Sequence, residues 1–353
     1  MSPSLPGPHD FDSEHLLSFN VSDYGKLRDM LESQQLSVPI TCAVIILLGV
    51  VGNVLVVVSA LRTADMRTST NLLIANIGVA DCLFCIFCCL PDAVRYHLWH
   101  WPFGWGMCKV MYFFASVTLY MRIYTLLLLS LERMLTLMHP DVNRRAMYLI
   151  IVGVLWMVLC LNSLFGPIVS VVVEVFYPWE GVAYDWCVLM GDTFNEFWWG
   201  MFIFSFMLPL VAVYLIFAVM AYRYCFGYSL SRSMRDIPDA KSTTVVVFLV
   251  AVMCTACWLP LYWIMLSQTG GPTHMPHHLD VAVDTGGSVA VAYVLGYTDM
   301  CINPLIYFLL MPAFRGEFAR ALTVRCKKTV LMKKQKEDDQ METSSLNRAT
   351  IEL

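Results

Sequence analysis

Charge is scarce in this chain. Asp, Glu, Lys and Arg make up 14% of its 353 residues, and 58% are hydrophobic. Soluble domains run at about 25% and about 45–50%. So much apolar surface excludes an ordinary soluble domain and calls for lipid as the solvent. Histidine is missing from the interior of every long apolar run, the nearest being His97 and His139 at run ends. Without a convergent nucleophile and base, catalysis is excluded. No His/Cys spacing suits zinc, and no cofactor or nucleic-acid partner is expected. An internal repeat with helices broken in mid-membrane, the mark of a transporter, is lacking. So are a selectivity loop and a ring of pore charges, which excludes a channel. Met1–Ser37 is polar and holds no signal-peptide core, so the first apolar run is expected to direct insertion itself.

Seven apolar runs are present, each meeting the roughly 20 residues that a membrane crossing needs. They read as Val38–Leu61, Thr70–Tyr96, Trp105–Met138, Ala146–Ser170, Thr193–Phe226, Lys241–Gln268 and Asp280–Leu310. The expected fold is an all-α integral membrane protein, a seven-transmembrane-helix bundle with a short amphipathic helix after the seventh span. Its domains are an N-terminal arm (residues 1–37), the bundle (38–310), a membrane-surface helix (311–326) and a disordered tail (327–353).

Lys and Arg decide orientation. Arg62 and Arg67, Arg144 and Arg145, then Arg223, Arg232 and Arg235, and finally the basic tail, all fall on one side, which is read as cytoplasmic. The opposite loops, His97–Gly104, Val171–Asp192 and Thr269–Leu279, carry neither residue. They are read as external, with the N-terminus, at the plasma membrane. Asn20 begins the sequon Asn20-Val21-Ser22 on that external side and is the glycosylation candidate. Of thirteen cysteines, only Cys108 and Cys187 face an oxidising compartment, and these two are expected to form one disulfide. The others read as small, reduced apolar residues.

Polar residues inside lipid are costly, so each needs a partner or a task. The runs carry Asn53 in Gly52-Asn53-Val54, Asp81 in Asn76-Ile77-Gly78-Val79-Ala80-Asp81, Glu132-Arg133-Met134, Trp156, Pro209, Cys257-Trp258-Leu259-Pro260, and Asn303-Pro304-Leu305-Ile306-Tyr307. One motif per span, in this order, resembles the rhodopsin-like G-protein-coupled receptors, from about Val38 to Val324. The resemblance implies that Glu132 holds Arg133 until activation, when Arg133 swings to the G protein; a plain helix-end ion pair is the alternative. It also implies that Trp258 lies under the ligand and that Tyr307 swings in to support the active state, although Trp258 as simple core filler stays open. Pro209, Pro260 and Pro304 each remove a helix hydrogen bond and so predict kinks. Met134 and Phe217 stand where the family usually has Tyr, so local packing is expected to differ and one hydroxyl contact to be lost.

Arg122 departs further from the family. It lies eleven residues before Arg133, roughly 16 Å deeper at about 1.5 Å per residue, where insertion costs about 2.5–3.5 kcal/mol. Its expected partners are Asp81 and Asp299, the latter sharing a face with Asn303 and Tyr307 at four-residue spacing. In many relatives a sodium ion occupies this zone, and the guanidinium is read as its replacement; a neighbouring helix or water is the alternative partner.

The seventh span has no Lys, which excludes a retinal Schiff base, and Ala115 stands where amine receptors have Asp. The loop bearing Tyr177, Trp179, Tyr184 and Trp186 suits a peptide, since aromatic anchors dominate such recognition. Asn71-Leu72-Leu73-Ile74, Cys82-Leu83-Phe84-Cys85, Trp101-Pro102-Phe103-Gly104, Tyr124-Thr125-Leu126 and His139-Pro140 resemble allatostatin-A and galanin receptors, most of all the allatostatin-A branch. Somatostatin-like and kisspeptin-like receptors share such wording, and a receptor for a small lipid or other non-peptide ligand is the rival reading. The expected ligand-binding residues are Asp92, Tyr96, Met111, Tyr112, Ala115, Trp258, Tyr262, Met265, Val289 and Tyr293. Arg95 and Lys109 either meet a peptide carbonyl or carboxyl or snorkel to the headgroups.

On the cytoplasmic side the resemblance implies a heterotrimeric G protein, of the inhibitory class in galanin-type relatives. Phe314, Phe318 and Leu322 fall on one face of a segment starting at Pro312, with Arg315, Arg320 and Arg325 nearby, as in a helix lying on membrane lipid. Cys326 is the palmitoylation candidate. Thr343, Ser344, Ser345 and Thr350 are phosphorylation candidates for arrestin recruitment.

Overall fold

A computed structural model describes residues 21–140, 142–177, 182–189, 191–226, 239–267 and 277–320. Asn20, Trp179, Cys326, Thr343, Ser344, Ser345, Thr350 and nearly all of the connection between the fifth and sixth spans lie outside the described residues. Among the described residues, seven helices are long and apolar enough to cross a membrane.

Helix α1 spans Val21–Arg62. The arm assigned to residues 1–37 is therefore helical over its second half. Hydropathy placed the boundary at the first apolar residue, whereas the run from Lys26 to Leu36 is made mostly of good helix formers that extend the spanning helix. Helix α2 comprises Ser69–Phe84, a π-turn Cys85–Cys89 and Leu90–Leu98. Thr68 starts it, its hydroxyl accepting the Asn71 backbone N–H at 3.2 Å. Helix α3 is Gly104–Met138, and α4 is Arg145–Asn162 prolonged by Phe165–Val169. The connection that follows is an antiparallel hairpin of β1 (Ser170–Tyr177) and β2 (Val182–Leu189), in which Val172 faces Cys187. The Val171-Val172-Val173 run has the β-branched composition of a strand, a signal the loop reading passed over. Helix α5 runs from Gly191–Phe202 through a π-turn, Ile203–Met207, into Leu208–Phe226. Helices α6 (Ala240–Ser267) and α7 (His277–Leu310) complete the bundle, and a short helix α8 covers residues 312–320.

The two π-turns have one cause. A proline at 91 or 209 lacks an N–H, and its ring crowds the carbonyl of the preceding turn. In both helices the turn just before it is widened, Leu90 N–H donating to the Cys85 carbonyl and Leu208 N–H to that of Ile203. Pro260 and Pro304 instead sit inside unbroken helices. Where α1 crosses α7, a Cβ built on Gly52 would lie 2.8 Å from the Pro304 Cβ, so only glycine permits this approach. Helix α8 seats Phe314 and Phe318 against Tyr307 and Phe308, with ring centroids 6.0 and 5.8 Å apart, so these two rings, expected on membrane lipid, are buried against α7.

The disulfide Cys108–Cys187 ties β2 to the start of α3. Trp101, 1% exposed, packs on it and donates its backbone N–H to the Asp185 carbonyl at 2.7 Å. The hairpin is thereby fixed over one end of the bundle. Arg133 marks the other end.

Candidate functional site

Three groups of polar side chains stand in line along the bundle. The innermost is centred on Arg122, which is 4% exposed. Its Nη2 lies 2.5 Å from Asp299 Oδ2 and its Nε 3.6 Å from Asp81 Oδ1, and its Nη1 reaches the Met300 sulfur at 3.1 Å. Both expected carboxylates thus meet the guanidinium. Asp299 Oδ2 also accepts the Trp258 indole N–H at 3.0 Å, and Asn303 Nδ2 approaches Asp81 Oδ2 at 3.5 Å. Asn53 donates to the carbonyls of Gly49 and Met300 at 2.9 and 2.8 Å, which fastens α1 to α7 beside this cluster. Tyr307 is buried nearby, its hydroxyl without a hydrogen-bond partner among the described residues.

At the Arg133 end, Glu132 accepts Arg133 Nε at 2.8 Å. The same carboxylate takes hydroxyls from Ser69, Thr70 and Thr136, each at 2.9 Å, and Arg133 also contacts Thr70. Motif reading found the ion pair but none of the hydroxyls, which come from the start of α2 and the next turn of α3. Trp156 donates to Asn76 Oδ1 at 2.9 Å, and Asn76 donates to Thr125 at 2.8 Å, so α2, α3 and α4 are joined at one amide.

At the hairpin end, Asp92 pairs with Arg95 at 2.6 Å and accepts the Tyr297 hydroxyl at 2.8 Å on its other oxygen. The Arg95 guanidinium lies over the Tyr96 ring at 4.5 Å and 5.8 Å from that of Trp186 on β2. Arg95 therefore bends into the bundle; it does not snorkel outward. Lys109 donates to the carbonyls of Pro167 and Ser170 at 2.6 and 3.1 Å, capping the end of α4. The Tyr293 ring lies tilted against that of Tyr297, with centroids 6.0 Å apart. Tyr297 was missed, although it lies four residues from Tyr293 on the same helix face.

The remaining expected ligand residues fall in two places. Met111 and Tyr112 pack beneath the disulfide, and Tyr112 meets Phe197 edge-on at 5.9 Å. Tyr262 turns toward α5, its hydroxyl 3.0 Å from that of Ser205 and its ring among Trp198, Phe202 and Phe206. Ala115, Met265 and Val289 pack in the main core. Trp258 lies between these outer groups and the Arg122 cluster, and a Cβ on Gly296 would be 3.5 Å from its ring. Contacts run unbroken from Asp92 to Tyr297, from Tyr297 to Phe84 at 5.7 Å, from Phe84 to Trp258 at 5.8 Å, and from Trp258 through Asp299 to Arg122. Phe217 packs on Phe248 at 5.2 Å, while Tyr214 donates across to Ala251 and lies 2.7 Å from Thr255, supplying a hydroxyl link between α5 and α6.

Residues 52–307 match the family described as 7 transmembrane receptor (rhodopsin family). The chain belongs to this family. The receptor is a multi-pass membrane protein. It is 31% identical to the Allatostatin-A receptor of Bombyx mori across 81% of this chain and 79% of that relative. Galanin receptor type 2 of Rattus norvegicus is 29% identical, over 80% of this chain and 75% of its own. Somatostatin receptor type 4 of Rattus norvegicus is 29% identical, over 80% and 72%.

Proposed function

We propose that the receptor binds a neuropeptide, of allatostatin-A or galanin type, at its hairpin end and passes the binding event to a heterotrimeric G protein at its Arg133 end. The unbroken run of contacts from Asp92 to Arg122 carries this reading, because a ligand that shifts Trp258 also shifts the hydrogen bond to Asp299. The names of the relatives support the ligand class. Helix α6 carries no Asp or Glu that could pair with Arg133, so its movement away from α3 breaks no ion pair to that residue. Glu132 keeps its three hydroxyl donors when Arg133 departs, which avoids a stranded buried charge.

The receptor acts at the plasma membrane with its N-terminus outside, Asn20 glycosylated and the peptide arriving from the same side. On the inner side, the inhibitory class of G protein engages Arg133, Cys326 anchors the tail in membrane lipid by palmitoylation, and Thr343, Ser344, Ser345 and Thr350 recruit arrestin once phosphorylated. The test is calcium release in cells that express the receptor with a promiscuous G-protein α subunit. Nanomolar allatostatin-A or galanin triggers release on this reading. Silence to peptides in surface-expressing cells, with a response to a lipid panel, transfers the ligand assignment to a small lipid.

A further inference from the structure

The Asp92–Arg95 pair is an unusual reader of charge. Both carboxylate oxygens are engaged, Oδ1 by Arg95 and Oδ2 by the Tyr297 hydroxyl. An incoming ammonium group would have to displace one of these donors. An incoming carboxylate would put a second negative charge beside Asp92, which is 7% exposed, with one guanidinium to share between them. The pair thus disfavours both ions. What the cluster offers is hydrogen-bond donors without net charge. The Trp186 indole N–H beside Arg95 is buried and has no hydrogen-bond partner among the described residues, and a buried donor left unpaired is costly. Tyr96, Tyr112 and Tyr293 lie within electrostatic reach of the same two charges and provide hydroxyls that both donate and accept.

We propose that Asp92, Arg95 and Trp186 form a subsite for an uncharged carboxamide, as found at an amidated peptide terminus, and that the ion pair rejects the corresponding free acid. The carboxamide oxygen accepts from Arg95 and Trp186, and its N–H groups donate to tyrosine oxygens. Aromatic rings beside the guanidinium favour an aromatic or apolar residue next to the amide. No covalent step is involved. The inference rests on the peptide reading above, but its subsite is testable without the natural ligand.

The probes are N-acetyltyrosinamide and N-acetyltyrosine, added to purified receptor in thermal unfolding. The amide raises the unfolding temperature of the wild type and the acid does not. In Asp92→Asn the order reverses, because an unpaired Arg95 now attracts the carboxylate; in Arg95→Gln neither compound stabilises. Equal shifts from both probes in the wild type, no shift from the amide up to its solubility limit, or an unchanged order in Asp92→Asn overturns the proposal. A parallel assay uses allatostatin-A made as carboxamide and as free acid, with the acid weaker by about tenfold or more, a factor of ten being one step of affinity. Stabilisation by the small amide in a receptor silent to every peptide rejects the peptide reading and keeps the subsite. Peptide activation with equal potency for the two termini does the opposite.

Discussion

Arg122 sits between two buried carboxylates, and removing it leaves Asp81 and Asp299 facing each other with no cation between them. Breaking a buried pair by deleting one partner costs about 3–5 kcal/mol. Arg122→Met is therefore expected to lower the unfolding temperature of detergent-solubilised receptor strongly. Adding Asp299→Asn should recover much of the loss, since the amide oxygen still accepts the Trp258 N–H. An Arg122→Met receptor that unfolds with the wild type would show that the pairing carries no stability. Sequence alone named both aspartates, because an arginine three turns into a span has to find a carboxylate. It could not find the Trp258 bond to Asp299, since indole orientation depends on how α6 is rotated against α7.

At the scale of elements, span boundaries were legible to within a few residues wherever a hydrophobic run met a charged loop. Helix α1 was the exception, because a helix continues through polar residues as long as its backbone bonds are satisfied. The π-turns were not legible. Pro209 marked a disturbance in α5, but the widened turn lies on its N-terminal side, and Pro91 drew no notice among four nearby cysteines. Gly52 was read as part of a motif, and the structure gives it a reason: the Pro304 ring leaves no room for a methyl group. Gly52→Ala is expected to destabilise by about 1–3 kcal/mol through overpacking, seen as a lowered unfolding temperature. Gly153→Ala is the control, since a Cβ there meets nothing within 4 Å. Equal behaviour of the two variants would remove the packing account of Gly52.

Across the whole molecule, a run of contacts joins the hairpin end to the Arg122 cluster, whose guanidinium, on our proposal, takes the place of a bound sodium ion. Agonist affinity is thus expected to be the same in sodium chloride and in N-methylglucamine chloride, measured by displacement of labelled peptide from membranes. A clear loss of affinity in sodium would refute the guanidinium as the ion's replacement. The disulfide and Trp101 hold β2 over the bundle mouth, which places Trp186 beside Arg95. Aromatic residues in that loop were visible as a rim, but which of them reaches the ion pair was not.

Lipid as solvent forces helices on any long apolar segment, because backbone groups have no water to bond. The seven spans, the two cysteines free to pair and the residues too polar to face lipid were therefore determined by sequence. Tertiary structure decided which polar groups meet: Arg95 with Asp92 and Tyr297, Tyr262 with Ser205, Glu132 with three hydroxyls, and Lys109 with the end of α4. Those pairings depend on rotations of one helix about its axis against another, which small packing contacts such as Gly52 on Pro304 set and no local pattern encodes.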